Sequence, residues 1–146
     1  MEVTYATWAV ALTGLALIGL LSALQAVAVV RPRGRWTMEN VYGGDPAETD
    51  AKAYFAFNQG FAWADVFLWL PLQVAACVGM LLGHEWGFAL ALAASVPYLY
   101  TAIQFFIWDR DLGFREHTLY YWVVVWGMWP CFGLVQGAYA AWRLLG

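Results

Sequence analysis

The chain has 146 residues, of which 63% are hydrophobic and only 12% are charged. A soluble domain of this length cannot bury so large a share of apolar side chains, which excludes an ordinary soluble protein. The formal net charge is -3 and the few basic residues lie in predicted loops, so a nucleic-acid-binding surface is excluded as well.

Apolar residues fall into four blocks, near residues 7–30, 54–82, 87–107 and 119–142. Each block has about twenty residues or more, the length a helix needs to cross a hydrocarbon core of roughly 30 Å. The blocks are unbroken, whereas membrane β-strands are short and alternate in polarity. The sequence predicts an all-α integral membrane protein in which residues 1–146 form a single domain, a four-helix bundle.

The loops between the blocks predict the orientation in the membrane. The polar loop 31–53 and the loop between the third and fourth blocks contain six of the seven basic residues, namely Arg31, Arg33, Arg35, Lys52, Arg110 and Arg115. Short loops rich in Lys and Arg stay on the cytoplasmic side. We therefore expect a multi-pass protein with both termini and the turn Gly83-His84-Glu85 on the non-cytoplasmic side.

The second block contains an acidic residue at mid-membrane depth. Asp65 lies eleven residues into that block, and Asn58, Trp69 and Gln73 share its predicted helix face. A carboxylate at this depth is costly unless it meets a partner, a water-filled cavity or a ligand. Asp65 is therefore the candidate catalytic residue. The alternative is a protonated carboxyl that hydrogen-bonds a neighbouring helix and serves only packing.

Helices 3 and 4 add further polar and aromatic side chains. Deep tryptophans can line an apolar pocket or attract a cation, although plain packing explains them equally well. The candidate ligand-binding residues are Asn58, Trp63, Trp69, Gln73, Tyr100, Thr101, Gln104, Trp122, Trp126 and Trp129.

Prolines and glycines suggest how the helices pack. Pro71, Pro97 and Pro130 each remove a backbone hydrogen bond, which predicts kinks in helices 2, 3 and 4 around a cavity. Gly133 and Gly137 form a GxxxG motif, which brings helices together either within the bundle or in a dimer.

The cysteines and histidines give no ligand pattern. Cys77 and Cys131 lie singly in different predicted helices, and His84 and His117 lie in loops on opposite sides of the membrane. We expect no metal and no cofactor.

The stretch Ala64-Asp65-Val66-Phe67-Leu68-Trp69-Leu70-Pro71 resembles the EXPERA superfamily, the four-helix membrane proteins that include the emopamil-binding sterol isomerase and the sigma-2 receptor. Lesser similarities are Leu24-Gln25-Ala26-Val27, Trp108-Asp109 and Glu116-His117. The resemblance implies a pocket between kinked helices that binds sterols or amphiphilic amines, with Asp65 as its acid. Two positions depart from the family pattern, because Ala23 and Phe61 replace an acid and a histidine.

Two functions follow as hypotheses. In the first, the protein binds a sterol-like, isoprenoid or amine ligand beside Asp65, and would be an isomerase if Asp65 passed a proton to an alkene. In the second, it is a non-catalytic accessory subunit of a larger membrane complex, its Trp and GxxxG surfaces being contact faces. Its expected partners are thus a lipidic small molecule, membrane lipids, and a second copy or another membrane subunit. A transporter or proton channel would require several copies.

Overall fold

The computed structural model describes residues 1–41, 52–111, 123 and 127–146. Every secondary-structure element in these ranges is helical, which confirms the all-α prediction. We number the helices α1 (Tyr5–Val30), α2 (Arg35–Asn40), α3 (Lys52–Ala64), α4 (Leu70–Leu81), α5 (Glu85–Asp111) and α6 (Trp129–Leu145). A π-helical turn, Asp65–Trp69, joins α3 to α4.

Within the described ranges, three helical segments are long and apolar enough to cross a bilayer: Tyr5–Val30, Phe55–Leu81 and Glu85–Gln104. These segments fit an integral membrane protein. Residues 119–122 and 124–126 of the predicted fourth span lie outside the described ranges, and its C-terminal part is α6.

The chain divides into two compact units. Unit 1 comprises Met1–Gly14 and Ala75–Gly146, and unit 2 comprises Leu15–Val74.

In unit 1, α4 and α5 form a hairpin with a very close backbone contact. Gly83 ends α4 with a φ of 71°, and the amides of Gly83 and His84 donate to the carbonyls of Met80 and Gly79. This is a Schellman motif, in which glycine adopts a left-handed conformation without steric cost. Beyond the turn, Gly79 and Gly87 let the two backbones touch, since a Cβ on Gly79 would lie 2.5 Å from the Gly87 Cα.

Helix α6 packs along α5 in unit 1, and the GxxxG motif forms part of this contact. A Cβ on Gly133 would lie 2.5 Å from the Tyr98 Cβ, and a Cβ on Gly137 would lie 2.8 Å from the Ser95 Oγ. The amide of Gln136, which is fully buried, donates to the Ala91 carbonyl at 2.8 Å. The motif therefore brings helices together within the chain.

In unit 2, the end of α1 packs against α3 and the short helix α2. Ala28, Met38 and Ala62 form the buried centre of this contact, and the Gln59 amide donates to the Ala28 carbonyl at 2.9 Å. On the surface of α2, the Arg35 Nε donates to the Glu39 Oε1 at 2.7 Å. This hydrogen bond and the charge of Glu39 raise the pKa of the Arg35 guanidinium.

The three prolines differ in their effect on helix geometry. Helix α5 runs through Pro97, where the Thr101 hydroxyl donates to the Pro97 carbonyl at 2.7 Å. Pro71, in contrast, follows the π turn at a distance of two residues, and Gly127 and Met128 are also π-helical just before Pro130. The prolines predicted kinks, and their positions did not predict π turns.

Candidate functional site

The π turn in unit 2 positions Asp65, the candidate catalytic residue. The Leu70 amide donates to the Asp65 carbonyl five residues earlier, so one extra residue is accommodated in this turn. The Asp65 side chain is partly buried. Within the described part of the chain its carboxyl group has no hydrogen-bond or ion-pair partner. π turns inside α-helices are frequent at functional sites because they redirect side chains.

Three of the predicted ligand-binding residues accompany Asp65 on the inward side of this segment. Trp69 and Gln73 are buried, at 4% and 0% exposure, and Asn58 is partly buried. The inward side therefore combines one aromatic ring with three polar side chains in a segment long and apolar enough to cross a bilayer.

Trp63 belongs to the opposite side of the segment. It is 51% exposed, and its ring stacks on that of Phe67 with the centroids 4.9 Å apart. In a bilayer this pair contacts lipid or a neighbouring subunit.

In unit 1, Thr101, Gln104 and Trp129 are turned inward. Trp129 is 7% exposed, and Thr101 is buried with its hydroxyl bonded to the backbone of α5. The Gln104 Oε1 is buried and has no hydrogen-bond partner among the described residues. Tyr100 differs from them, because its side chain is 59% exposed. Trp122 and Trp126 lie outside the described residues.

The aromatic centre of unit 1 is Tyr98, which the sequence reasoning missed. Tyr98 is fully buried, and its ring meets the edges of Trp129 and Phe132, each with centroids 5.3 Å apart. The spacing of Ser95, Tyr98 and Thr101, three residues at a time, places them on one helix face and was the available signal.

No protein-family model, curated protein or solved structure gives a significant match to this chain. The described residues contain no group of three or more His, Cys, Asp or Glu side chains placed to hold a metal ion. The described residues of these sites offer a carboxyl group, amides, hydroxyls and aromatic rings.

Proposed function

We propose that the protein binds a lipidic or amphiphilic amine ligand inside the membrane, with the Asp65 carboxyl as the polar contact. The observation that carries this proposal is a partly buried carboxyl group in the segment Phe55–Leu81 that has no partner among the described residues. Membrane proteins keep such groups where function requires them, since each costs several kcal/mol in hydrocarbon.

Ser22 supplies a second polar group for the same ligand. Its hydroxyl is buried and has no hydrogen-bond partner among the described residues. The contact of Gln59 with Ala28 sets the register of α3 against α1. Asp65 follows Gln59 by six residues, and Ser22 precedes Ala28 by six residues. If the two helices cross the bilayer in opposite directions, Asp65 and Ser22 therefore lie at the same depth. A ligand hydroxyl or ammonium group between them would satisfy both.

The proposed architecture is a four-helix bundle with α6 as the end of its fourth helix and both termini non-cytoplasmic. The resemblance to the EXPERA superfamily suggests sterols, isoprenoids or amphiphilic amines as the ligand class. The departures at Ala23 and Phe61 favour binding over sterol isomerisation. Turnover would require a protonated Asp65 that donates to an alkene carbon while a base removes the neighbouring proton.

If the protein were an accessory subunit, fewer of the predicted contact surfaces would be free to bind a partner. Gly133 and Gly137 contact α5 within the chain, so they are not available to a partner. The exposed pair Trp63 and Phe67 would remain as its contact face. Purification in mild detergent separates the two functions, because a subunit would elute in a stoichiometric complex without bound lipid.

Replacing Asp65 by Asn is expected to weaken ligand binding at least about tenfold, equivalent to ~1.4 kcal/mol, because the amide has no negative charge to pair with a cation and no carboxylic proton to donate. Tritiated amphiphilic amines and extracted native lipids serve as probes with the purified protein. Glu39→Gln is the matched control, since it neutralises an acid on the surface helix α2. Equal affinities of the wild type and Asp65→Asn for every probe would refute the role of Asp65.

A further inference from the structure

The last turn of α6 carries a guanidinium group whose bonds to the described residues all go to uncharged oxygens. The Arg143 Nη1 donates to the Thr7 hydroxyl at 3.1 Å and to the Tyr139 hydroxyl at 3.0 Å. Its Nη2 donates to the backbone carbonyl of Glu2. Tyr139 and Thr7 also bond each other at 2.6 Å, and Thr4 bonds both of them. We call Thr4, Thr7, Tyr139 and Arg143 the Arg143 cluster.

The positive charge of this cluster is not balanced by a carboxylate. Arg143 makes no ion pair within the described ranges, unlike Arg35, whose Nε is bonded to Glu39. Among the described residues, these three bonds leave the Nε–H and one Nη2–H without a protein acceptor. The Nε and Nη2 nitrogens lie on one edge of the planar group, the edge from which an arginine can donate to two oxygens of a phosphate.

The guanidinium is also fixed in position. It lies over the ring of Phe88, 4.8 Å from the centroid, and Phe88 is fully buried. A cation held against an aromatic face and by three hydrogen bonds loses little side-chain entropy when it binds an anion.

Exposed aromatic residues surround this end of unit 1. Trp8, Trp86 and Trp142 are each about half exposed or more, and all three lie near the helix ends that meet here. Exposed tryptophans at such positions lie among lipid headgroups. Arg143 is therefore at the depth of the lipid phosphates.

The location in the headgroup layer favours a lipid over a free anion, because the nearby carboxylates oppose both and only the lipid is concentrated there. Glu2 and Glu85 are exposed at this end of unit 1, and their negative charges repel anions that arrive from solution. A phospholipid is already held in the headgroup layer, where its effective concentration is high.

We propose that Arg143 binds the phosphodiester group of a membrane phospholipid through its Nε–H and Nη2–H. The lipid and the Arg143 cluster then hold the start of α1 against the end of α6. This site is independent of the ligand proposed for Asp65.

The test measures how far added lipid raises the thermal unfolding midpoint of the protein in detergent. The probes are phosphatidylglycerol, diacylglycerol with the same acyl chains but no phosphate, and inorganic phosphate. Phosphatidylglycerol is expected to raise the midpoint of the wild type more than diacylglycerol does. In Arg143→Gln, the apparent affinity for phosphatidylglycerol should fall at least about fivefold. Arg35→Gln, which removes an ion-paired surface arginine, should respond as the wild type does.

Because Arg143→Gln also breaks bonds to Thr7 and Tyr139, only the lipid-dependent increment is compared. Arg143→Lys keeps the charge but not this planar edge, and should weaken the affinity about threefold. Equal increments in the wild type and Arg143→Gln, or an unchanged affinity in Arg143→Lys, would overturn the proposal. A rise produced equally well by inorganic phosphate would also overturn it, because the site would then bind free phosphate.

Discussion

Leucine at Gly87 is expected to prevent the hairpin of α4 and α5 from closing, so that little monodisperse protein is recovered. A Cβ at this position would overlap the backbone of Gly79 and Met80. Overpacking usually costs about 1–3 kcal/mol, when side chains can rotate away from the added atoms. Here the obstacle is backbone, so the cost should exceed that range. Fluorescence-detected size-exclusion chromatography of detergent extracts measures the outcome.

Gly60→Leu provides the control for this experiment. Gly60 lies in α3, and a Cβ there meets nothing within 4 Å. This variant should elute as the wild type does, because its added side chain occupies open space. If Gly87→Leu gave the same monodisperse peak and the same unfolding temperature, the close contact between Gly79 and Gly87 would be wrong.

Leucine at Asp65 is expected to stabilise the ligand-free protein while it abolishes ligand binding. A carboxyl without a protein partner costs about 2.5–3.5 kcal/mol near the middle of a membrane helix, and an apolar side chain of similar size removes that cost. Functional residues commonly show this opposition between stability and activity. Thermal unfolding of delipidated protein should give a midpoint several degrees above that of the wild type.

The same measurement separates function from packing. If Asp65 instead joins two helices by a hydrogen bond, leucine breaks the bond and the midpoint falls. Glu39→Gln again serves as the control. It removes one partner of an exposed ion pair with Arg35, so its midpoint should change little.

The sequence predicted the membrane character because length and hydropathy alone decide it. In the hydrocarbon core no water is present to hydrogen-bond the backbone. A long apolar block must therefore form a helix, in which the backbone groups bond one another. The turn at Gly83 was equally accessible, since a glycine between two such blocks marks a helix end. These features depend on local sequence, and the segments Tyr5–Val30, Phe55–Leu81 and Glu85–Gln104 follow from it.

The inward faces were harder to predict, because they depend on which neighbour each helix meets. Trp63 and Trp69 look equivalent in the sequence, but only Trp69 is buried. For the same reason Tyr98 was not singled out, since its burial depends on contacts with Gly133 and Phe132 of α6.

The π turn at Asp65 has no clear signal in side-chain pattern. It is rare, and its extra residue appears only in the hydrogen bond from Leu70 to Asp65. The proline at position 71 indicated a local disturbance of the helix but not its form. Asp65 itself was predictable as a candidate, since the cost of an acid in hydrocarbon follows from chemistry alone.

Native mass spectrometry of the protein released from mild detergent tests the central claim most directly. We expect the wild type to carry one lipidic ligand per chain, apart from any phospholipid bound at Arg143, and Asp65→Asn to be released without that ligand under identical conditions. Glu39→Gln should retain the molecule. The same adduct at the same occupancy on Asp65→Asn, or no adduct on the wild type under any mild condition, would contradict a ligand at Asp65.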